Sequence, residues 1–139
     1  IRAANLVTDG VIQNYLLNSY AARKLDLQLT GHGSGIHNLT LNNTGKSFDE
    51  CLQTMHTGLL VTELMGNGAN NVTGDYSRGA AGFWVENGEI LYPVEEVTIA
   101  ANLKDMFMGI VEVGNDINKL SSIRTGSILI GNMTIAGSD

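Results

Sequence analysis

"TGDYSRGAAGFW", Thr73–Trp84, is the stretch on which the reading of this chain turns. It holds three glycines, an acid and a base three residues apart, a serine, a tyrosine and two adjacent aromatics. A phosphate loop would need G-x-x-x-x-G-K-[ST] leading into a helix, because the lysine must reach the phosphates and the hydroxyl must bind magnesium. Gly74 and Gly79 have that separation, but Ala80 stands where lysine is required, and the pattern that follows is a strand. The G-x-S-x-G turn of serine hydrolases does not fit around Ser77 either. His32, His37 and His56 are available as bases, yet nothing in the sequence brings one beside Ser77. The stretch therefore reads as a sharply bent loop. Gly74, Gly79 and Gly82 supply backbone freedom, and Asp75 and Arg78 act as braces, paired with each other or bound to the loop's own backbone. Phe83 and Trp84 anchor the loop to the core, the ordinary fate of aromatics entering a strand.

The surrounding chain sets bounds on function. Its 139 residues are 43% hydrophobic and 16% charged, which suits a single globular domain, 1–139, with a real core. A formal net charge of −6 argues against direct nucleic-acid binding, because phosphate contacts need a basic face. One cysteine, Cys51, precludes an internal disulfide and fits a reducing compartment. Apolar runs such as "GLLV" are too short to span a bilayer, so no membrane partner is expected. Four Asn-x-Thr triplets, at Asn38, Asn42, Asn71 and Asn132, are read as chance products of an Asn- and Thr-rich chain. The chain opens on Ile1 in mid-pattern and is read as a piece of a longer protein.

Coarse elements follow from pattern and caps. "VIQNYLL" (Val11–Leu17) alternates as a strand, "SYAARKL" (Ser19–Leu25) is a short helix capped by Asn18, and "HNLTL" (His37–Leu41) is a short strand. In "SFDECLQTMHTG", Ser47 and Glu50 form a capping box, Phe48, Cys51, Leu52 and Met55 share a face, and Gly58 marks the stop. "LLVTELM" (Leu59–Met65) reads as a largely buried strand, and "GFWVENGEILYPV" as a hairpin around Asn87-Gly88, extended by "EEVTIA". "NLKDMFMGIVEVG" reads as an amphipathic helix from an Asn102 cap to Gly114, with Leu103, Met106, Phe107 and Ile110 on one side. "RTGSILI" and "NMTIAG" close the chain as strands. The fold class is α+β: strand-dominated, mostly antiparallel, with two or three short helices and no βα alternation.

Metal ligation finds little support in spacing. His32 and His37 are separated by two glycines and cannot share a helix face as in H-E-x-x-H. Cys51 and His56 are five apart on a helix, which turns them roughly 140° from one another. "GHGSG" (Gly31–Gly35) lacks the later glycine of a dinucleotide fingerprint. Glu86 and Glu89 flank a hairpin turn, where water solvates them.

Longer strings carry a resemblance. "VTELMGNGANNVTGDYSRGAAGFWVENGEILYPVEEVTIAANLKDMF", together with "SYAARKL", "TGHGSGIHN", "VGNDI" (Val113–Ile117) and "GSILIGNMTIAG", resembles the C-terminal region of the TldD/PmbA family, PmbA/TldE branch, over nearly the whole chain. The resemblance implies longer, two-part bacterial and archaeal cytoplasmic proteins. It implies that the TldD branch holds zinc with two histidines of an H-E-x-x-x-H helix upstream and a cysteine in the C-terminal region, the helix glutamate serving as general base. PmbA/TldE-type subunits are expected to lack that set and to pair as a heterodimer with the zinc-bearing TldD-type subunit, enclosing a chamber for unfolded peptides. Peptide maturation, microcin processing and an old label as modulator of DNA gyrase belong to the same resemblance. At the Cys-Gly step of the zinc branch this chain has Thr125-Gly126, and a hydroxyl is a poor zinc ligand beside a thiolate.

The resulting expectation is a non-catalytic subunit of a metalloprotease, with no cofactor of its own and zinc in the partner. Asp75, Tyr76, Ser77 and Arg78 would form the substrate-chamber loop on the backbone of Gly74, Gly79 and Gly82. Strand edges and apolar excess also suggest self-association. A structural or regulatory binding protein, and a hydrolase using Ser77 or the His32/His37 loop, are the alternatives.

Overall fold

The computed structural model describes residues 3–31, 33 and 35–137. His32 therefore lies outside the described residues. The chain divides into two compact units, Ile1–Leu39 and Thr40–Asp139. In the first, β1 (Val7–Thr8) and β2 (Val11–Ile12) form a two-stranded antiparallel ribbon. Its turn is Asp9-Gly10, both at positive φ (50° and 76°), which the sequence reading passed over. The strand expected over Val11–Leu17 stops at Ile12, because the ribbon offers only two residues to pair with. Beyond it, the Gln13 N–H donates to the Leu6 carbonyl at 2.7 Å and Asn14 Nδ2 to that of Asn5 at 2.7 Å. Helix α1 (Ser19–Lys24) starts where expected: Asn18 Oδ1 accepts from the Ala21 N–H at 2.8 Å.

The second unit is built on an antiparallel sheet. After β3 (Leu39–Thr40) and helix α2 (Phe48–Met55) come β4 (Gly58–Met65), β5 (Asp75–Glu86) and β6 (Glu89–Asn102). Helix α3 (Leu103–Met108), β7 (Ile110–Val113), β8 (Ile123–Arg124), β9 (Ile128–Ile130) and β10 (Thr134–Gly137) follow. The main sheet has the order β10-β6-β5-β4, and β7 and β9 form a separate antiparallel pair.

The quoted stretch is thus not a loop. From Asp75 onward it is the second strand from one edge, hydrogen-bonded on both sides. Even-numbered positions Tyr76, Arg78, Ala80, Gly82 and Trp84 face inward, and Ala80 is fully buried. Asp75, Ser77 and Phe83 on the other face are exposed. Period-2 geometry decides this, and it also separates the two aromatics, so that Trp84 is half-buried and Phe83 stays 36% exposed. Both neighbouring strands shift register beside Ala81: β4 between Val61 and Glu63, and β6 between Val94 and Val97. Glu96 takes φ 55° at the second shift. These bulges bend the sheet at the small-residue block Gly79–Gly82. A Cβ on Gly82 would lie 1.8 Å from the Leu60 carbonyl oxygen, so β4 and β5 pass closer there than any side chain permits. The core of Ala80, Val97 and Ile99 packs with Leu59, Val61, Tyr76, Val94 and Met133 around this point.

The hairpin turns at Asn87-Gly88, with φ of 52° and 76°, as the sequence requires. The capping box of α2 is present: Ser47 Oγ accepts from the Glu50 N–H and Glu50 Oε1 from the Ser47 N–H, both at 3.1 Å. Those two bonds lower the Glu50 pKa. Gly58 does not end the helix. His56 does, at φ 62° and ψ −66°, with the Thr57 N–H bonded to the Met55 carbonyl at 2.7 Å in a three-residue turn. Gly58 is free to open β4, which is half-buried over Gly58–Val61 and exposed over Thr62–Met65, less buried than expected. Helix α3 is capped by Asn102, whose Oδ1 accepts from the Lys104 N–H at 3.0 Å. It ends at Gly109 rather than Gly114, leaving Phe107 69% exposed, because Ile110–Val113 pairs with β9 instead.

Asp116 clamps the end of that pair. Its carboxylate accepts from the Ser127 N–H at 2.9 Å and from Ser127 Oγ at 2.6 Å. Partial burial pushes the Asp116 pKa up, and the Ser127 bonds outweigh this and hold it below the ordinary 3.8.

Gly82→Ala should destabilise the fold by about 1–3 kcal/mol in urea melts, from forced backbone separation. Gly79→Ala, whose new methyl would meet Met65 Cβ at 3.5 Å, should change stability by less than about 1 kcal/mol. Because the folded-state pKa of Asp116 is depressed, its carboxylate stabilises the fold above its unfolded pKa, and that contribution is lost as pH falls through the folded value. Melts of wild type and Asp116→Asn should therefore differ in slope against pH from about one pH unit above the ordinary value of 3.8 downward, and run parallel at neutral pH.

Candidate functional site

The segment singled out by sequence is a braced strand end. Asn70 organises the turn that feeds it: its Oδ1 accepts from the N–H groups of Val72 and Thr73 at 2.9 and 3.1 Å, and its carbonyl accepts from the Gly74 N–H at 2.8 Å. Gly74, at φ 80°, is the one glycine of the three with a left-handed backbone. Its carbonyl accepts from the Leu103 N–H at 2.7 Å, which ties the turn to the start of α3. Asn102 completes the knot by donating Nδ2 to the Thr73 carbonyl at 3.1 Å. Gly68 lies so close to the Ser77 backbone that a Cβ there would fall 1.7 Å from the Ser77 carbonyl oxygen. The Ser77 N–H donates to the Gly68 carbonyl at 3.0 Å.

Asp75 and Arg78 brace this structure separately. Three apart on a strand, they point to opposite faces. Asp75 Oδ2 accepts from Thr73 Oγ1 at 3.1 Å, while Arg78 Nη2 donates to the Gly66 carbonyl at 2.6 Å. Arg78 Nε is buried without a hydrogen-bond partner. Ser77 is exposed, and among the described residues no histidine or carboxylate hydrogen-bonds to its hydroxyl. The arrangement fixes the backbone of the turn and of the start of β5.

Among the described residues neither Thr125 nor Cys51 gathers with other metal-binding side chains. Thr125 Oγ1 donates to the Gly126 carbonyl at 3.0 Å. Gly126 is pressed against the Gly114 carbonyl oxygen, 1.9 Å from where a Cβ would stand. Cys51 is buried on α2, and burial pushes its thiol pKa up, with Asp116, Glu112 and Glu50 adding to the rise and Lys46 opposing it. Among the described residues no three of His, Cys, Asp and Glu gather closely enough to hold a metal ion. His37 is exposed in the first unit, and His56 is held in the turn after α2, its Nδ1 3.1 Å from Thr57 Oγ1.

What sequence reasoning missed is an apolar groove of 760 Å³ in the second unit. Helix α2 supplies Cys51 and Met55, β4 supplies Leu60 and Leu64, and β7 and β9 supply Val111 and Ile128. Tyr76 and Trp84 reach it from the inner face of β5. Its lining contains no charged side chain. No motif marks it, because its walls come from eight elements scattered along the second unit.

Comparison with known proteins places this geometry. The PmbA/TldA metallopeptidase C-terminal domain pattern matches residues 1–137. The chain is 59% identical over 133 residues to the metalloprotease PmbA of Escherichia coli O157:H7, covering 96% of this chain and 30% of that relative. It is 53% identical over 133 residues to a metalloprotease PmbA homolog of Haemophilus influenzae, covering 95% and 30%. Two crystal structures labelled modulators of DNA gyrase share the fold. The one from Thermotoga maritima has a TM-score of 0.83 at 39% identity, over 94% of this chain and 32% of that one. The one from Bacteroides thetaiotaomicron has a TM-score of 0.87 at 31% identity, over 96% and 30%. The chain thus spans under a third of the length of each of these relatives, and it belongs to the PmbA/TldA metallopeptidase C-terminal domain family.

Proposed function

We propose that this chain is the C-terminal part of a PmbA/TldE-type subunit of a TldD/TldE-type metalloprotease that acts on unfolded peptides in the cytoplasm. In this reading the subunit is itself non-catalytic, and a zinc-bearing TldD-type partner in the heterodimer supplies the metal. The observation that carries the reading is the Thr125-Gly126 step, where the hydroxyl is spent on a backbone carbonyl and no thiolate stands. Cys51 stands on α2, at a different place in the chain from that step. The names of the relatives, metalloprotease PmbA and its homologs, support the reaction class.

The chain's own contribution is shape. The knot of Asn70, Gly74 and Asn102 and the Arg78 brace hold β5 rigid, so that exposed Asp75 and Ser77 present hydrogen-bonding groups to a passing peptide. Tyr76 and the glycines Gly79 and Gly82 belong to the inner face and the sheet contacts, and support rather than touch. No helix among the described residues is long and apolar enough to cross a membrane. The net charge of −6 disfavours direct nucleic-acid contact. Peptide maturation, including microcin processing, is the biological role this reading favours. The gyrase-modulator label of the two solved relatives favours a second reading, a regulatory binding protein that cleaves nothing in any complex.

Mixing the full-length protein with its zinc-bearing relative should give cleavage of an unfolded peptide that exceeds the relative alone and disappears with chelator. No gain over the relative alone would leave the regulatory reading. Chelator-insensitive cleavage by this protein alone, abolished by Ser77→Ala, would overturn both.

A further inference from the structure

The chain holds two Asn-Gly steps, Asn67-Gly68 and Asn87-Gly88, and the fold treats them oppositely. Such a step is prone to ring closure, because glycine has no Cβ to shield its backbone nitrogen from the asparagine side chain. That nitrogen must give up its proton and reach Cγ of the asparagine. A hydrogen bond donated by the N–H and a fixed turn therefore both oppose the reaction. At Asn87 both are present. The Gly88 N–H donates to the His56 carbonyl at 2.9 Å, and the turn, at φ 52° and 76°, is closed by the pairs Glu86–Glu89 and Val85–Ile90. Asn67 is exposed in the connection between β4 and β5, outside either strand. Among the described residues nothing accepts from the Gly68 N–H, and the Asn67 amide has no hydrogen-bond partner. What the fold engages here is carbonyls: Arg78 Nη2 donates to that of Gly66 at 2.6 Å, and the Ser77 N–H to that of Gly68 at 3.0 Å.

We propose that Asn67 is a site of spontaneous deamidation and isoaspartate formation in the folded protein, while Asn87 is protected. The Gly68 nitrogen bonds to Asn67 Cγ, the Cγ–Nδ2 bond breaks, and Nδ2 leaves as ammonia with the proton that Gly68 gives up. Water then opens the cyclic imide. Cleavage at the side-chain carbonyl leaves aspartate in an ordinary main chain, and cleavage at the main-chain carbonyl leaves isoaspartate, with the peptide running through Cγ. A water molecule enters and ammonia departs, and no oxidant or reductant takes part. The isoaspartyl product lengthens the backbone by a carbon between the two carbonyls that Arg78 and Ser77 hold. Gly68 has no slack to absorb it, since even a Cβ there would lie 1.7 Å from the Ser77 carbonyl oxygen. Modification therefore loosens the anchor at the start of β5. The reaction is one of backbone and solvent, so it holds whether or not the protein takes part in peptide cleavage.

Peptide mapping by mass spectrometry of the full-length protein, aged in mildly alkaline buffer, tests this. Trypsin cuts after Lys46, Arg78 and Lys104, which puts the two steps on separate peptides, 47–78 and 79–104. In the native protein the mass gain of amide-to-acid conversion should build up about tenfold or more faster in the first peptide than in the second. In concentrated urea the two rates should converge, because the hairpin and the His56 bond are gone. Asn67→Gln, which closes the ring far less readily, should remove the gain from peptide 47–78. Equal native rates, a faster Asn87, or no gain in either native peptide would each overturn the proposal. A gap that persists in urea would trace the difference to local sequence and equally overturn it. So would a gain in peptide 47–78 that survives Asn67→Gln, which places the reaction at Asn70 or Asn71.

Discussion

Between Gly82 and Leu60 there is no room for a carbon atom: the Leu60 carbonyl oxygen sits 1.8 Å from where a Cβ would be. The second unit depends on this approach. It lets β4 and β5 stay paired across the point where both neighbours of Ala81 shift register, and it puts the bend of the sheet over the Ala80–Val97–Ile99 core. Fully buried Val85 lies beyond it, on the other face of β5, and its burial contributes about 1.5–3 kcal/mol. The same two strands also line the groove, β4 with Leu60 and Leu64 and β5 with Tyr76 and Trp84.

Polar groups around β5 serve that geometry. Asn70, Asn102 and Arg78 each satisfy backbone groups that a sharp turn would otherwise strand. An acid and a base three apart suggest a pair when the chain is imagined as a turn. On a strand they diverge, and each binds a different segment. These side chains organise the backbone around the start of β5.

The sequence was most informative where a short local rule suffices. Asn18, Ser47 with Glu50, Asn102 and Asn87-Gly88 act within a few residues of themselves, and each does in the structure what its local pattern requires. Longer patterns misled where pairing overrode propensity. Ile110–Val113 continues a helical period but has β9 to pair with, and Gln13–Leu17 alternates but has no strand beside it. The inward alternation Tyr76, Ala80, Gly82, Trp84 was hidden because its central members are small and carry no hydrophobic signal. The site was less legible still: the braces Gly66 and Gly68 and the groove walls come from separate elements, with no spacing to betray them.

By itself, then, the sequence determined the caps, the hairpin turn, the α+β character and the family, because these rest on local stereochemistry or on long ordered strings. Only the tertiary structure decided that Thr73–Trp84 is mainly a strand, that Gly82 is demanded by a neighbour's carbonyl rather than by its own φ, and that an uncharged groove opens beside β4. Those features arise from contacts between residues far apart in the chain, and a single sequence carries no record of which distant backbone will press against which glycine.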